Sequence, residues 1–314
     1  MINVLITTTS FQDTPGKHLA LLEKQGWMLN SLRGPLAEKS LLAIIDKYDA
    51  LICGDDEYTE AVLKKGKQGK LKTISKYGVG LDKVDLVAAK DLDITVTNCP
   101  AVNPPSVSEH VIALLLSYAR NIPTHVQDIE NSKWNRITGH EIKGKTIGLI
   151  GLGAIGQELS PKLHGLGLKI IAFDINPNSK FLDRHKYIEL VDDLERIFTE
   201  SNLISLHVPL NKHTKHIINH GVINEQLKKK PIIINTARGE LVDNKAIIKG
   251  IKEGKIEAYL ADVLKEEPLS LNEPFLGCKN VIITPHVGSR TFESVQRQGV
   301  MAVKNLIDQV QKWK

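Results

Sequence analysis

Lys145-Thr-Ile-Gly-Leu-Ile-Gly-Leu-Gly-Ala-Ile-Gly156 decides how this chain is read. A short apolar run, Thr146 to Ile150, leads straight into Gly151-Leu-Gly153-Ala154-Ile155-Gly156, and an apolar-periodic segment follows. That order reads as strand, glycine turn and helix. Gly151 permits the tight turn, and Gly153 lets a pyrophosphate approach the backbone. Gly156 lets the new helix pack against its strand, so phosphates meet free amides and the positive end of a helix dipole. A second apolar run, Lys169 to Phe173, ends in Asp174, at the distance where a carboxylate accepts the hydroxyls of an adenine ribose. The same carboxylate repels a 2′-phosphate. Ile175-Asn-Pro-Asn-Ser follows it with no arginine, so NAD is expected rather than NADP. Pro161 breaks a local rule by falling inside the helix that the glycines open, and a kink near Gln157 or a late helix start is expected.

Composition fits a two-domain α/β protein working in a reducing compartment. The chain has 314 residues, enough for two cores. No apolar run approaches the roughly 20 residues of a membrane helix. The N-terminus enters a strand-like Val4-Leu-Ile-Thr without the basic and apolar regions of a secretion signal. Cys53, Cys99 and Cys278 are single and scattered, which argues for free thiols and against a disulfide frame or metal site. A cytoplasmic location is expected. The net charge of +5 is mild, and Lys228-Lys229-Lys230 precedes an apolar strand, so neither a nucleic acid nor a membrane is an expected partner.

Strands and helices alternate along the whole chain, the pattern of parallel sheets with crossover helices. Residues 1–100 supply four strand-like runs at Asn3, Ala50, Thr73 and Ile94, with helical segments between them. Pro100-Ala-Val-Asn-Pro-Pro105 reads as a break without regular structure. After it, Ser106 or Ser108 is placed to cap a largely apolar helix from Glu109 to Arg120. Residues 101–285 form the dinucleotide-binding unit. A last amphipathic helix, Glu293 to about Gln311, is placed to return to the front domain, making that domain discontinuous: 1–100 plus 286–314.

Three constellations sit at C-terminal ends of strands, where open α/β sheets hold their ligands. They are Asn235-Thr236-Ala237-Arg238-Gly-Glu, Asp262-Val-Leu-Lys-Glu-Glu267-Pro, and Thr284-Pro-His286-Val-Gly288-Ser. Reducing a keto acid needs a carboxylate anchor, an acid with a pKa near working pH, and a charge that keeps the acid protonated. Arg238 can clamp a carboxylate bidentately, His286 can pass the proton, and Glu267 beside it would raise the imidazole pKa. Each alone has an ordinary structural reading. Their coincidence behind a dinucleotide motif points to chemistry.

These motifs, with His207-Val208-Pro209-Leu and Leu241-Val-Asp243, resemble those of the D-isomer-specific 2-hydroxyacid dehydrogenases over nearly the whole chain. The resemblance implies two doubly wound parallel-sheet domains, a Rossmann NAD-binding domain and a discontinuous flavodoxin-like substrate domain, with a cleft between them and a homodimer joined through the cofactor domains. It implies catalysis by Arg238, Glu267 and His286. It also implies cofactor contacts from Gly151, Gly153, Ala154, Ile155, Gly156, Asp174, His207, Val208, Pro209, Thr236, Ala237, Arg238, Asp262, His286 and Gly288. Lys76-Tyr77-Gly78-Val79-Gly80 is similar to the family's substrate loop, and Arg238 and His286 complete that set. The loop and Gly288-Ser-Arg-Thr-Phe-Glu293 are most similar to the phosphoglycerate dehydrogenase branch, without its regulatory domain. Gly54-Asp55-Asp56-Glu57 departs from that branch, because acids stand where a phosphate would be received. Hydroxypyruvate/glyoxylate reductase is the alternative enzyme. An NAD-sensing corepressor should carry partner-binding extensions, and a methyltransferase leaves Arg238, Glu267 and His286 without a role.

Overall fold

The computed structural model describes residues 1–313 and divides into two compact units, Met1–Asn103 with Arg290–Lys314, and Pro104–Ser289. His286 thus belongs with the second unit, not with the discontinuous one. Its amide donates to the Asp262 carbonyl at 2.9 Å, and the Val287 and Gly288 amides donate to the Asp262 carboxylate, which ties the segment to its own sheet.

The first unit is a five-stranded parallel sheet in the order β2-β1-β3-β4-β5. Its strands are β1 (Asn3–Ile6), β2 (Met28–Ser31), β3 (Ala50–Cys53), β4 (Thr73–Lys76) and β5 (Thr95–Thr97). This is the flavodoxin-like order. β2 is the strand the sequence does not announce. It is an edge strand with mostly exposed residues, so it lacks the apolar run by which its buried neighbours are recognised. The helix Phe292–Gln311 completes this unit. Val295, Ala302, Val303, Leu306 and Val310 form its buried face, and the Ser75 hydroxyl donates to the Ala302 carbonyl at 2.8 Å.

The second unit holds seven parallel strands in the order β12-β11-β10-β9-β6-β7-β8. They are β6 (Thr146–Ile150), β7 (Lys169–Phe173), β8 (Ile188–Leu190), β9 (Leu203–Leu206), β10 (Ile232–Asn235), β11 (Ala258–Ala261) and β12 (Val281–Ile283). The order reverses between β6 and β9, so the ligand crevice of a doubly wound sheet lies at their C-terminal ends. β6, β9, β10 and β11 are almost wholly buried, as strands covered by helices on both faces must be.

Two local expectations give way. The proline-dense stretch does not forbid regular structure, because the helix Pro104–Ala119 begins on Pro104 and Pro105 themselves. First-turn residues need no intrahelical donor, so proline costs nothing there. Neither serine caps that helix; Ser108 Oγ donates to the Pro105 carbonyl inside it. The helix Ala154–Gly165 starts directly on the glycine motif and runs unbroken through Pro161. The Gln157 carbonyl, which would have accepted from residue 161, accepts the Ser160 hydroxyl at 3.3 Å instead.

Candidate active site

The glycine turn is built as its sequence requires. Gly151 has a φ of 100°, and a Cβ there would stand 2.5 Å from the His207 carbonyl oxygen. A Cβ on Gly156 would meet the Gly151 oxygen at 2.5 Å, which is the close packing of helix on strand. Gly153 is different: a Cβ there would meet nothing within 4 Å. The approach to its backbone is open, at the N-terminus of a 12-residue helix whose first amides have no intrahelical acceptors. Asp174 follows β7 and points its carboxylate at the turn, accepting from the Leu152 amide at 2.6 Å and the Asn176 amide at 2.8 Å. Each oxygen has one backbone donor and keeps a lone pair for a ribose hydroxyl. Two buried polar atoms at neighbouring strand ends lack any protein partner, His207 Nδ1 after β9 and Thr236 Oγ1 after β10. Burial drives the His207 pKa down to about 4, so that ring is neutral and its Nε2 sits 2.9 Å from Ser205 Oγ. An open glycine cradle, an acid at the ribose distance and two orphaned polar atoms fit a dinucleotide.

The three chemical constellations converge within the second unit. His286 Nδ1 lies 2.7 Å from Glu267 Oε2, and Glu267 Oε1 accepts from the Leu264 amide at 2.8 Å. The carboxylate is therefore held from both sides, and Nε2 is the ring nitrogen turned away from it. His286 carries a φ of 52°, a left-handed conformation that histidine adopts more readily than most residues but that still stores strain. Asp262 stabilises that backbone. Its carbonyl accepts from the His286 amide, Oδ1 from the Val287 amide at 2.9 Å, and Oδ2 from the Gly288 amide at 2.6 Å. Burial opposes its ionisation. The His110 and Thr284 side chains and the two amides outweigh that, so the Asp262 carboxyl lies below the usual range.

Arg238 stands on a turn shaped by Asn235, a residue to which the sequence reading gave no role of its own. The fully buried Asn235 amide accepts from the Ala237 amide at 3.1 Å and donates to the Arg238 carbonyl at 2.8 Å and the Tyr259 hydroxyl at 3.2 Å. The signal was available, since a polar side chain closing Ile232-Ile-Ile has to find partners inside the sheet. Gly239 was passed over too. A Cβ there would lie 2.2 Å from the Leu264 carbonyl carbon, so the Arg238 turn abuts the loop that carries Glu267.

Lys76 to Gly80 lies at the C-terminal end of β4 in the first unit. Tyr77 is buried, with its hydroxyl 3.3 Å from Ser10 Oγ, and burial pushes its pKa up to about 12. Gly78 takes a φ of 138°, Val79 is exposed, and Gly80 is half-buried. The charges around this loop are not those the sequence suggested. Lys76 is buried, with Nζ 2.6 Å from both Asp55 Oδ1 and the Gly54 carbonyl. Asp56 cannot line a substrate site, because it is fully buried against Thr7, the Leu36 amide and Tyr58, and burial raises its pKa. Glu57 accepts from the Glu38 amide, and Arg290 pairs with Asp13 at 3.0 Å. The expected acidic wall is thus mostly internal structure, and the cations set against it are already paired. Among the described residues no group of three or more His, Cys, Asp or Glu could hold a metal, and no helix is long and apolar enough to cross a membrane.

Residues 112–288 match the family described as "D-isomer specific 2-hydroxyacid dehydrogenase, NAD binding domain". The chain is 37% identical over 309 residues to the D-3-phosphoglycerate dehydrogenase of Methanocaldococcus jannaschii, covering 98% of this chain and 57% of that relative. It is 38% identical over 280 residues to the hydroxypyruvate reductase of Thermotoga maritima, covering 88% of this chain and 89% of that one. The apo-structure of D-lactate dehydrogenase from Escherichia coli superposes with a TM-score of 0.85 at 30% identity, covering 99% of this chain and 98% of that structure. The chain belongs to the D-isomer-specific 2-hydroxyacid dehydrogenase family. Its second unit is that family's NAD-binding domain.

Proposed function

We propose that this protein is an NAD-dependent oxidoreductase that moves a hydride between nicotinamide and C2 of a D-2-hydroxy acid or its 2-keto acid. The observation that carries this reading is the 2.7 Å contact of His286 with Glu267, held on strand ends beside the Arg238 turn. The dinucleotide, when bound, supplies or accepts the hydride. In reduction His286 gives the carbonyl oxygen a proton from Nε2, and in oxidation it takes that proton back. Glu267 receives Nδ1–H, which fixes the ring and balances the imidazolium. The Arg238 fork takes the substrate carboxylate and polarises the adjacent carbonyl. Gly151 to Gly156, Asp174, His207 to Pro209, Thr236, Ala237, Asp262 and Gly288 are the proposed cofactor contacts. Lys76 to Gly80 are proposed to bind substrate, through backbone at the Gly78–Gly80 end.

Identity to phosphoglycerate dehydrogenases and hydroxypyruvate reductases is nearly equal, so charge has to choose between them. Lys76 is neutralised by Asp55, and Arg290 is held by Asp13, which it shares with Arg33. With the loop's own lysine spent on an aspartate, a small unphosphorylated keto acid such as hydroxypyruvate or glyoxylate is favoured. A panel of 2-keto acids assayed with NADH and NADPH tests the function. Hydroxypyruvate or glyoxylate should be turned over in preference to 3-phosphohydroxypyruvate. NADH should be favoured by about tenfold or more, a ratio that about 1.4 kcal/mol of repulsion between Asp174 and a 2′-phosphate supplies. Asp174→Ala should narrow that ratio chiefly by losing NADH. Equal use of both cofactors by the wild type, or silence on every keto acid, overturns the proposal.

We also infer that the protein is a homodimer working in the cytoplasm. Ile122, Val126 and Ile129 form an exposed stripe along the helix Ile122–Glu130, which has no buried residue, and Trp134 nearby is 81% exposed. So much clustered apolar surface marks an interface, and a second copy of the chain is the proposed occupant. Light scattering should give the mass of two chains, and Val126→Asp with Ile129→Asp should give one. A wild type that stays monomeric at micromolar concentration excludes the dimer.

A further inference from the structure

His110 sits midway along the helix Pro104–Ala119, an element whose inward face is otherwise apolar apart from Ser106 and Ser108. Its Nε2 lies 2.8 Å from Thr284 Oγ1 and 3.3 Å from Asp262 Oδ1. Thr284 Oγ1 is in turn 2.5 Å from Asp262 Oδ1, and the other acceptor within its reach among the described residues, the Ala261 carbonyl, stands at 3.4 Å. The directions of these bonds follow from chemistry. The Asp262 carboxylate only accepts, so the threonine hydroxyl donates to it and presents a lone pair to His110. His110 Nε2 must then carry a proton. The result is a directed line that ends on the carboxylate: imidazole N–H donates to hydroxyl and hydroxyl to carboxylate, while the Val287 and Gly288 amides donate to the same carboxylate and the His286 amide donates to the Asp262 carbonyl.

We propose that His110 is a positioning residue for the reaction, fixing through Thr284 and Asp262 the left-handed backbone that presents His286. The inference rests on His286 being the acid, and it assigns a role to a residue that would otherwise only fill the space between helix and sheet. Filling space needs no donor, and a leucine would do it. What the line requires is an N–H at the reach of Nε2. Without it Thr284 is free to turn toward the Ala261 carbonyl, and Asp262 loses two of the donors that keep its carboxylate ionised and in place. The 286–288 backbone then relaxes from its strained conformation, and the imidazole shifts relative to the reacting carbonyl. Gly288 leaves little slack for compensation, since a Cβ there would sit 2.8 Å from Asp262 Oδ2.

The test compares His110→Leu, which keeps bulk without a donor, with His110→Gln, whose amide can donate at similar reach, both in the full chain. His110→Leu should lower kcat for keto-acid reduction by about 10²-fold, the scale of a misplaced reacting group. KM for the keto acid should stay near wild type, NADH affinity by fluorescence titration should fall far less than kcat because the Gly151–Gly156 turn and Asp174 are untouched, and His110→Gln should recover most of the lost kcat. Thr284→Val interrupts the same line from the strand side, so its loss should not add to that of His110→Leu in the double variant. If His110→Leu fails to fold, His110→Gln and Thr284→Val still decide. A Thr284→Val enzyme with wild-type kcat, equal rates for the Leu and Gln variants, or additive losses in the double variant overturns the inference. His286→Ala separates the two levels. If it is inactive while His110→Leu runs at full rate, only the role of His110 falls; if it is active, the assignment of the acid falls first.

Discussion

Replacing His286 by alanine is expected to lower kcat for keto-acid reduction by about 10²–10⁴-fold, the usual cost of losing a general acid. NADH binding should stay near wild type, because the glycine turn and Asp174 lie on other strands. Two effects would be mixed in that variant. His286 has a φ of 52°, and alanine tolerates the left-handed region less well than histidine. Part of any loss could therefore come from a relaxed loop. His286→Asn removes the confusion, since asparagine accepts the left-handed backbone yet has no group that ionises near neutral pH. Both variants should be similarly inactive. An asparagine variant within a few-fold of wild type would mean that the residue serves the backbone and that the proton comes from elsewhere. Glu267→Gln should fall between these extremes, because the amide can still face Nδ1 while the compensating charge is gone.

The parts of this site that were legible in sequence are those where one residue type is demanded by backbone geometry or by chemistry. Gly151 and Gly156 are required by carbonyl oxygens that a Cβ would strike, and such requirements leave a fixed spacing behind. Arg238 and Glu267 could be singled out because they follow the buried strands β10 and β11, and His286 because it follows the apolar, half-buried β12. Charge was misread. Asp55, Asp56 and Glu57 look alike in sequence, yet Asp55 pairs with a buried lysine, Asp56 is enclosed, and Glu57 faces a helix N-terminus. Adjacent residues in a loop point in different directions, and a sequence holds no information about direction without a period. The edge strand β2 was missed for a related reason, being short and less buried than its neighbours. Asn235 and His110 were given no role because a polar residue in an apolar run reads first as noise. In the fold their hydrogen bonds shape the two candidate turns.

The second large effect is expected at a residue with no chemistry of its own. Gly239→Ala should reduce kcat/KM for the keto acid by about 10²-fold or more, although Gly239 touches neither proton nor hydride. Its backbone conformation is not the reason. The reason is space, because the added methyl would lie 2.2 Å from the Leu264 carbonyl carbon, 2.4 Å from its oxygen and 2.4 Å from the Lys265 amide nitrogen. These are backbone atoms and cannot rotate away as a side-chain end would. Either the Arg238 turn or the Leu264–Glu267 loop must retreat. Retreat of the turn strains the Asn235 bonds to Ala237 and Arg238, and retreat of the loop draws the Leu264 amide and Glu267 away from His286. Each route separates the proposed carboxylate clamp from the proposed acid pair, so the loss is expected on catalysis more than on folding. Overpacking of this kind costs about 1–3 kcal/mol in stability, which a two-core chain of this length should survive. The variant should therefore purify as a folded protein that still binds NADH. A Gly239→Ala enzyme with kcat/KM near wild type would show that the Arg238 turn and the Glu267 loop can part without consequence, and that their contact is packing alone.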